Sequence, residues 1–159
     1  MSIVIRAAVP NDLDQIIVFI RALADYERLA DAVQLDRTLL GCHLFGERPM
    51  AEVLIGEIDG VARGFALYFH NFSTFEGKPG IYLEDLFVEP EARGSGLGTA
   101  LLARLAQLAI ERGCARLEWS VLDWNAPAIA FYNRLGAKSM DGWTVNRLEG
   151  ETLIGLAKL

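Results

Sequence analysis

Cysteine and histidine are nearly missing from this chain. Cys42 and Cys114 are the two cysteines among 159 residues, with no C-x-x-C pair. That excludes a disulfide framework and the usual zinc spacings, and it suits a reducing cytoplasm. His43 and His70 stand far apart, and neither suggests a metal site. Basic residues are also in deficit, 15 Lys and Arg against 21 Asp and Glu, for a formal charge of −6. A face that neutralises phosphates is not expected from that balance, so a nucleic-acid partner is not expected either. No apolar stretch reaches the length of a membrane span, and the opening Met-Ser-Ile-Val-Ile-Arg lacks the pattern of a signal peptide. The expectation is one cytoplasmic domain over residues 1–159, with no membrane association.

What is present is ordinary globular material. Hydrophobic residues make up 52% and charged residues 23%. A chain this long buries roughly 70% of its unfolded surface and needs no covalent or metal staple. No repeat or low-complexity tract interrupts it.

The hydrophobic period changes several times along the chain. Ile3–Ala7 reads as a short strand. Pro10-Asn11-Asp12 opens a helix whose apolar positions are Leu13, Ile16, Ile17, Ile20, Leu23 and Ala24, with Asn11 and Asp14 spaced as in a capping box. A shorter helix is expected around Leu35–Leu40. Ala51–Ile58 and Val61–Phe69 flank Asp59-Gly60, a strong two-residue hairpin signal. A loop over 71–80 leads to the strand Ile81–Val88. Leu97–Glu111 is helical, with Gly113 as its stop. Arg116–Leu122 reads as a strand, Ala126–Arg134 as a helix, and Trp143–Leu148 with Thr152–Leu159 as a last hairpin about Glu149-Gly150. The long helix between the fourth and fifth strands implies that those two run parallel, and tight turns make the other pairs antiparallel. The fold expected is mixed α/β: a mostly antiparallel central sheet with helices on both faces.

The most informative stretch follows the fourth strand: Val88-Glu-Pro-Glu-Ala-Arg93-Gly94-Ser95-Gly96-Leu97-Gly98-Thr99. Amides at a helix start lack intrahelical partners, the helix dipole is positive there, and glycines admit close approach, so an anion is favoured. Arg93 can add a charge-assisted hydrogen bond. A nucleotide P-loop needs a lysine after the last glycine, and the sequence has Gly98-Thr99-Ala100. A dinucleotide fingerprint needs G-x-G-x-x-G, and the spacing is G-x-G-x-G. A glycine turn serving only tight helix packing is the structural alternative.

The run from Val88 to Gly98 resembles the pyrophosphate-binding motif of the GNAT superfamily of acetyl-CoA-dependent N-acetyltransferases. A second signature follows in order: Asn125-x-x-Ala128-x-x-Phe131-Tyr132-x-x-Leu135-Gly136-Ala137. Ile81-Tyr-Leu-Glu84-Asp85-Leu-Phe-Val88, Asp123-Trp124-Asn125-Ala126-Pro127 and Leu23-Ala-Asp-Tyr26-Glu27 are similar to the spermidine/spermine branch, which includes thialysine acetyltransferases. Ala126 departs from the eukaryotic pattern, which is acidic there, and the connection before Trp143 is shorter.

That resemblance implies a reaction and a set of roles. The reaction is direct attack of an amine on acetyl-CoA in a ternary complex, without a covalent enzyme intermediate. Acetyl-CoA is implied at Leu86, Phe87 and Val88, along Arg93, Gly94, Ser95, Gly96, Leu97, Gly98 and Thr99, and at Asn125, Ala126, Pro127, Ala128 and Tyr132. A small cationic amine is implied at Tyr26, Glu27, Glu84 and Asp85, and at Glu118, Trp119 and Ser120, with Asp141 a more distant candidate. Glu84 would accept the amine proton, directly or through water. Tyr132 would protonate the CoA thiolate, a task that suits a phenol of pKa ~10 against a thiol of ~8.5. No metal is implied, and a homodimer is.

From the residues alone, each of these has a plainer reading. Glu84 and Asp85 can be structural ion pairs, Tyr132 a core aromatic, Tyr26 and Glu27 a solvated helix end, and Asn125 a helix cap. A peptide N-terminus or an antibiotic amine would suit the same motifs, and so would a non-catalytic acyl-CoA sensor.

Overall fold

A computed structural model describes residues 1–159, which divide into two compact units, Met1–Leu122 and Asp123–Leu159. In the first unit, β1 (Ile3–Ala7) precedes α1 (Leu13–Tyr26) and α2 (Arg37–Phe45). Strands β2 (Glu52–Ile58), β3 (Val61–Ser73) and β4 (Lys78–Val88) follow, then α3 (Leu97–Glu111) and the three-residue β5 (Leu117–Trp119). The five strands lie in sequence order in one sheet, antiparallel throughout except for the parallel β4–β5 pair. This is the mixed fold expected.

Helix α1 packs on one side of β3 and β4. Its Leu13, Ile16, Phe19 and Leu23 meet Phe65, Leu67 and Phe87 in a core where Phe19 stacks on Phe65 at 5.5 Å. Burying side chains of this size stabilises the fold by roughly 1.5–3 kcal/mol each. Helix α3 contributes Leu97, Leu101, Leu105 and Leu108, all buried, and packs on β1, β2 and β4.

Several boundaries differ from the sequence reading. The second helix starts later and runs longer, because Asp36 caps it by accepting from the Leu39 amide at 2.9 Å. Strands β3 and β4 extend far into the expected 71–80 loop, leaving a turn of four residues between them. The strand expected over Arg116–Leu122 forms only at Leu117–Trp119. Asn11 and Asp14 form no capping box. A 3-10 turn over Pro10–Asp12 comes first, Asp12 accepts from the Val9 amide at 2.7 Å, and Asp14 pairs with Arg37.

The second unit contains α4 (Ala126–Arg134) and α5 (Gly150–Leu156). The hairpin expected over 143–159 does not form. An isolated two-stranded ribbon is marginal in water, and Glu149-Gly150 is a weak turn signal beside good helix formers at Glu151, Leu153 and Leu156. Trp143, Val145, Ile154 and Leu156 are exposed.

Candidate active site

The register of β3 against β4 slips at one place. Tyr68 opposes Leu83 and Leu67 opposes Asp85, so Glu84 is an extra residue in a β-bulge. Directly opposed residues share a face of the sheet. Asp85 therefore joins Leu67, Phe65 and Phe87 on the α1 side, while Leu83 joins Tyr68 on the other. Simple alternation does not hold across Glu84 and Asp85. Glu84 is exposed and Asp85 half-buried. Burial pushes the Asp85 carboxyl up to about 6, with smaller pushes from the charges of Glu84 and Glu27. Burial also raises Glu27, the residue after α1. Three carboxylates thus gather where α1 ends beside β4, a local field suited to a cation.

The pairing of β4 with β5 stops at the same bulge. Ile81, Tyr82 and Leu83 oppose Leu117, Glu118 and Trp119. From Glu84 to Val88 strand β4 has β3 on one flank and no strand on the other, the splay that backbone contact with an extended ligand requires.

Beyond β4, a 3-10 turn over Pro90–Ala92 leads into the glycine loop. Gly94 and Gly96 take φ of +78° and +92°, and nothing lies within 4 Å of where a Cβ would stand. Backbone conformation, rather than crowding within the chain, calls for glycine at both positions. Ser95 Oγ accepts from the Leu97 amide at 3.3 Å, and the first backbone bond of α3 runs from the Ala100 amide to the Gly96 carbonyl at 2.9 Å. The Gly98 and Thr99 amides at the α3 N-terminus are left for an outside acceptor. Such a donor set fits a pyrophosphate group. Arg93 Nε donates to the Val88 carbonyl at 3.1 Å, and its guanidinium carbon lies 4.9 Å from the Tyr26 ring centroid.

Other expected substrate residues have structural partners. Glu118 pairs with Arg116 at 2.9 Å and accepts from Asn71 Nδ2 at 3.3 Å, while Ser120 Oγ lies 2.7 Å from the Tyr82 hydroxyl. Trp119 opposes Leu83 at the end of β5. Asn71 and Tyr82 escaped the sequence reading, since nothing in their local spacing marks them, whereas Arg116 stands two residues before Glu118, a spacing that puts both on one face of a strand. No group of three or more His, Cys, Asp or Glu residues is placed to hold a metal ion.

In the second unit, Asn125 caps α4 by accepting from the Ala128 amide at 3.3 Å, and Pro127 occupies the first turn. Ala126 opens this helix. Tyr132 is half-buried on it, its ring 5.5 Å from that of Phe131. Asp141 is exposed.

Residues 18–137 match the model of the acetyltransferase (GNAT) family. The chain belongs to the GNAT family. It is an acyltransferase, and the family generally uses acetyl-CoA as its co-substrate. Among similar curated GNAT proteins, the thialysine N-epsilon-acetyltransferase of Bos taurus is 38% identical over 98% of this chain and 97% of its own length. The spermidine/spermine N(1)-acetyltransferase-like protein 1 of Homo sapiens is 33% identical over 96% of this chain and 23% of its own. Among solved structures, an integron cassette protein from the V. cholerae mobile metagenome superposes with a TM-score of 0.81. It is 31% identical, covering 100% of this chain and 99% of that one.

Proposed function

We propose that this GNAT domain, spanning residues 1–159, transfers the acetyl group of acetyl-CoA to a primary amine of a small cationic substrate: a polyamine, a diamine or a lysine-like amino acid such as thialysine. The observation that carries this reading is the meeting of Glu27, Glu84 and Asp85 beside the unflanked end of β4. The curated relatives, named for thialysine and polyamine acetylation, support it.

When bound, acetyl-CoA supplies an activated acyl thioester. The amides of Gly98 and Thr99, with Arg93, would hold its diphosphate, and Ser95, Gly96 and Leu97 shape that cradle. Leu86, Phe87 and Val88 would offer backbone groups to its extended arm, and an N–H there would stabilise developing charge on the thioester oxygen. On the amine side, Asp85 and Glu27 hold a cationic substrate. A primary ammonium of pKa ~10.4 is not a nucleophile, so it must first lose a proton. Glu84, exposed at the bulge and open to water, is the acceptor, directly or through one water. The amine would then attack the thioester carbon within a ternary complex. As the C–S bond breaks, Tyr132 would give its phenolic proton to the departing thiolate, and the extra proton on the new amide nitrogen would return, through water, to the Tyr132 phenolate. Asn125 serves as both helix cap and CoA contact.

The same reading makes the protein a cytoplasmic homodimer. Its two cysteines are unpaired, no helix is long and apolar enough to cross a membrane, and the second unit leaves large apolar side chains exposed.

The test is acetyl-CoA-dependent thiol release against spermidine, spermine, putrescine, lysine, thialysine and a short peptide. Turnover on a cationic small amine is the expected result. Turnover on the peptide alone would replace the substrate class. CoA binding with no turnover on any amine would make the domain an acyl-CoA sensor.

A further inference from the structure

Arg93 touches two regions that the proposed reaction uses separately. Its Nε is committed to the Val88 carbonyl at the end of β4. Its guanidinium carbon lies 4.9 Å from the Tyr26 ring centroid and 5.9 Å from that of Phe87. Phe87 is a fixed wall, buried in the core with its ring 5.9 Å from Phe19. Tyr26 is the last residue of α1 and sits at the rim, 37% exposed. A guanidinium is planar: its faces serve aromatic rings, while its edge carries five N–H donors. With Nε used and the guanidinium carbon over the two rings, the Nη groups are left for an anion.

We propose that Tyr26 is a positioning residue for the acyl-donor site: its ring holds the Arg93 guanidinium edge-outward beside the glycine-loop amides, and Arg93 in turn holds Tyr26 and the neighbouring Glu27 at the amine site. This rests on the function proposed above and extends it, because one side chain then couples the two half-sites. Such coupling is reciprocal by thermodynamic necessity. A residue of α1, outside the glycine loop, therefore controls affinity for the donor. Lysine in place of Arg93 keeps the charge but has neither the planar face nor the Nε bond.

The experiment is calorimetric titration of CoA, without any amine, into the wild type and the variants Tyr26→Phe, Tyr26→Leu, Arg93→Lys and Tyr26→Leu/Arg93→Lys. Tyr26→Leu is expected to weaken CoA binding about three- to tenfold, the loss of one cation–π contact. Tyr26→Phe, which keeps the ring, restores it, and the double variant is no weaker than Arg93→Lys alone. In parallel, the ¹⁵N-edited Arg93 Nε–H resonance should carry a ring-current shift in the wild type and Tyr26→Phe that Tyr26→Leu abolishes, which separates loss of the stack from loss of the fold. Wild-type affinity in Tyr26→Leu, or effects of the single variants that simply multiply, would overturn the coupling while leaving the acetyltransferase reading intact. Failure of the wild-type protein to bind CoA would remove both.

Discussion

Glu27, just past the end of α1, and Asp85, on β4, are far apart in sequence yet close enough for the charge of one to raise the proton affinity of the other. With Glu84 on the adjoining bulge they form an acidic corner whose like charges repel. An amine substrate would relieve that repulsion.

The first prediction concerns stability against pH. Asp85 is raised from 3.8 to about 6, so between those values the folded state holds a proton that the unfolded chain has released. Stability from this group is fully present below about pH 4 and is lost as pH rises through 6. Asp85→Asn removes the dependence. Thermal unfolding should find the variant more stable than the wild type at pH 7.5, by up to about 3 kcal/mol, with the gap closing toward pH 4. A gap that does not change with pH would refute the assignment.

Glu84→Gln should leave the fold intact, because the side chain is exposed, and change stability by no more than about 0.5 kcal/mol. The kcat/KM for the amine should fall about 10²-fold or more, with the loss eased at high pH where free amine is abundant. Steady-state kinetics across pH 6–10 is the measurement.

Tyr132→Phe should lower kcat by about 10²- to 10⁴-fold and leave the helix content unchanged by circular dichroism. Full kcat at every pH would exclude a proton donor at this position.

Gly96→Ala forces a Cβ onto a residue at φ +92°. It should cost about 1–2 kcal/mol of stability and weaken CoA binding at least about tenfold, read by thermal unfolding and calorimetry. Equal CoA affinity would mean that the loop serves packing alone.

Light scattering should find a dimer. Trp143→Ser together with Ile154→Ser, at two exposed apolar positions of the second unit, should shift it toward monomer.

The elements that the sequence announces are those whose local and long-range signals agree. Asp59 and Gly60 both take positive φ, as a two-residue hairpin turn demands, and Ile58 opposes Val61 across it. Helix α3 begins with its leucine stripe at Leu97 and ends at Glu111, ahead of the Gly113 stop, and Asn125 caps α4 from its expected place. The bulge is different in kind. Period-2 patterning presumes an unbroken ladder, and nothing in Leu83-Glu84-Asp85-Leu86 marks which residue is extra. Neither the contact of Arg93 with Tyr26 nor the bond from Asn71 to Glu118 has a local signature, because each joins segments remote in sequence. The C-terminal segment differs again: the hairpin expected about Glu149-Gly150 gives way to α5 over Gly150–Leu156, because a two-stranded ribbon by itself is marginal.

The bare flank of β4 beyond Leu83 has a consequence for handling and for life in a crowded cell. A strand with no neighbouring strand on one side is a template for any extended chain, including another copy of the same protein. Under the proposed reaction, a ligand with amide groups along its arm would occupy that flank and finish the sheet. Donor occupancy would then act as protection against aggregation, and protein purified with CoA should stay dispersed at concentrations where stripped protein clumps.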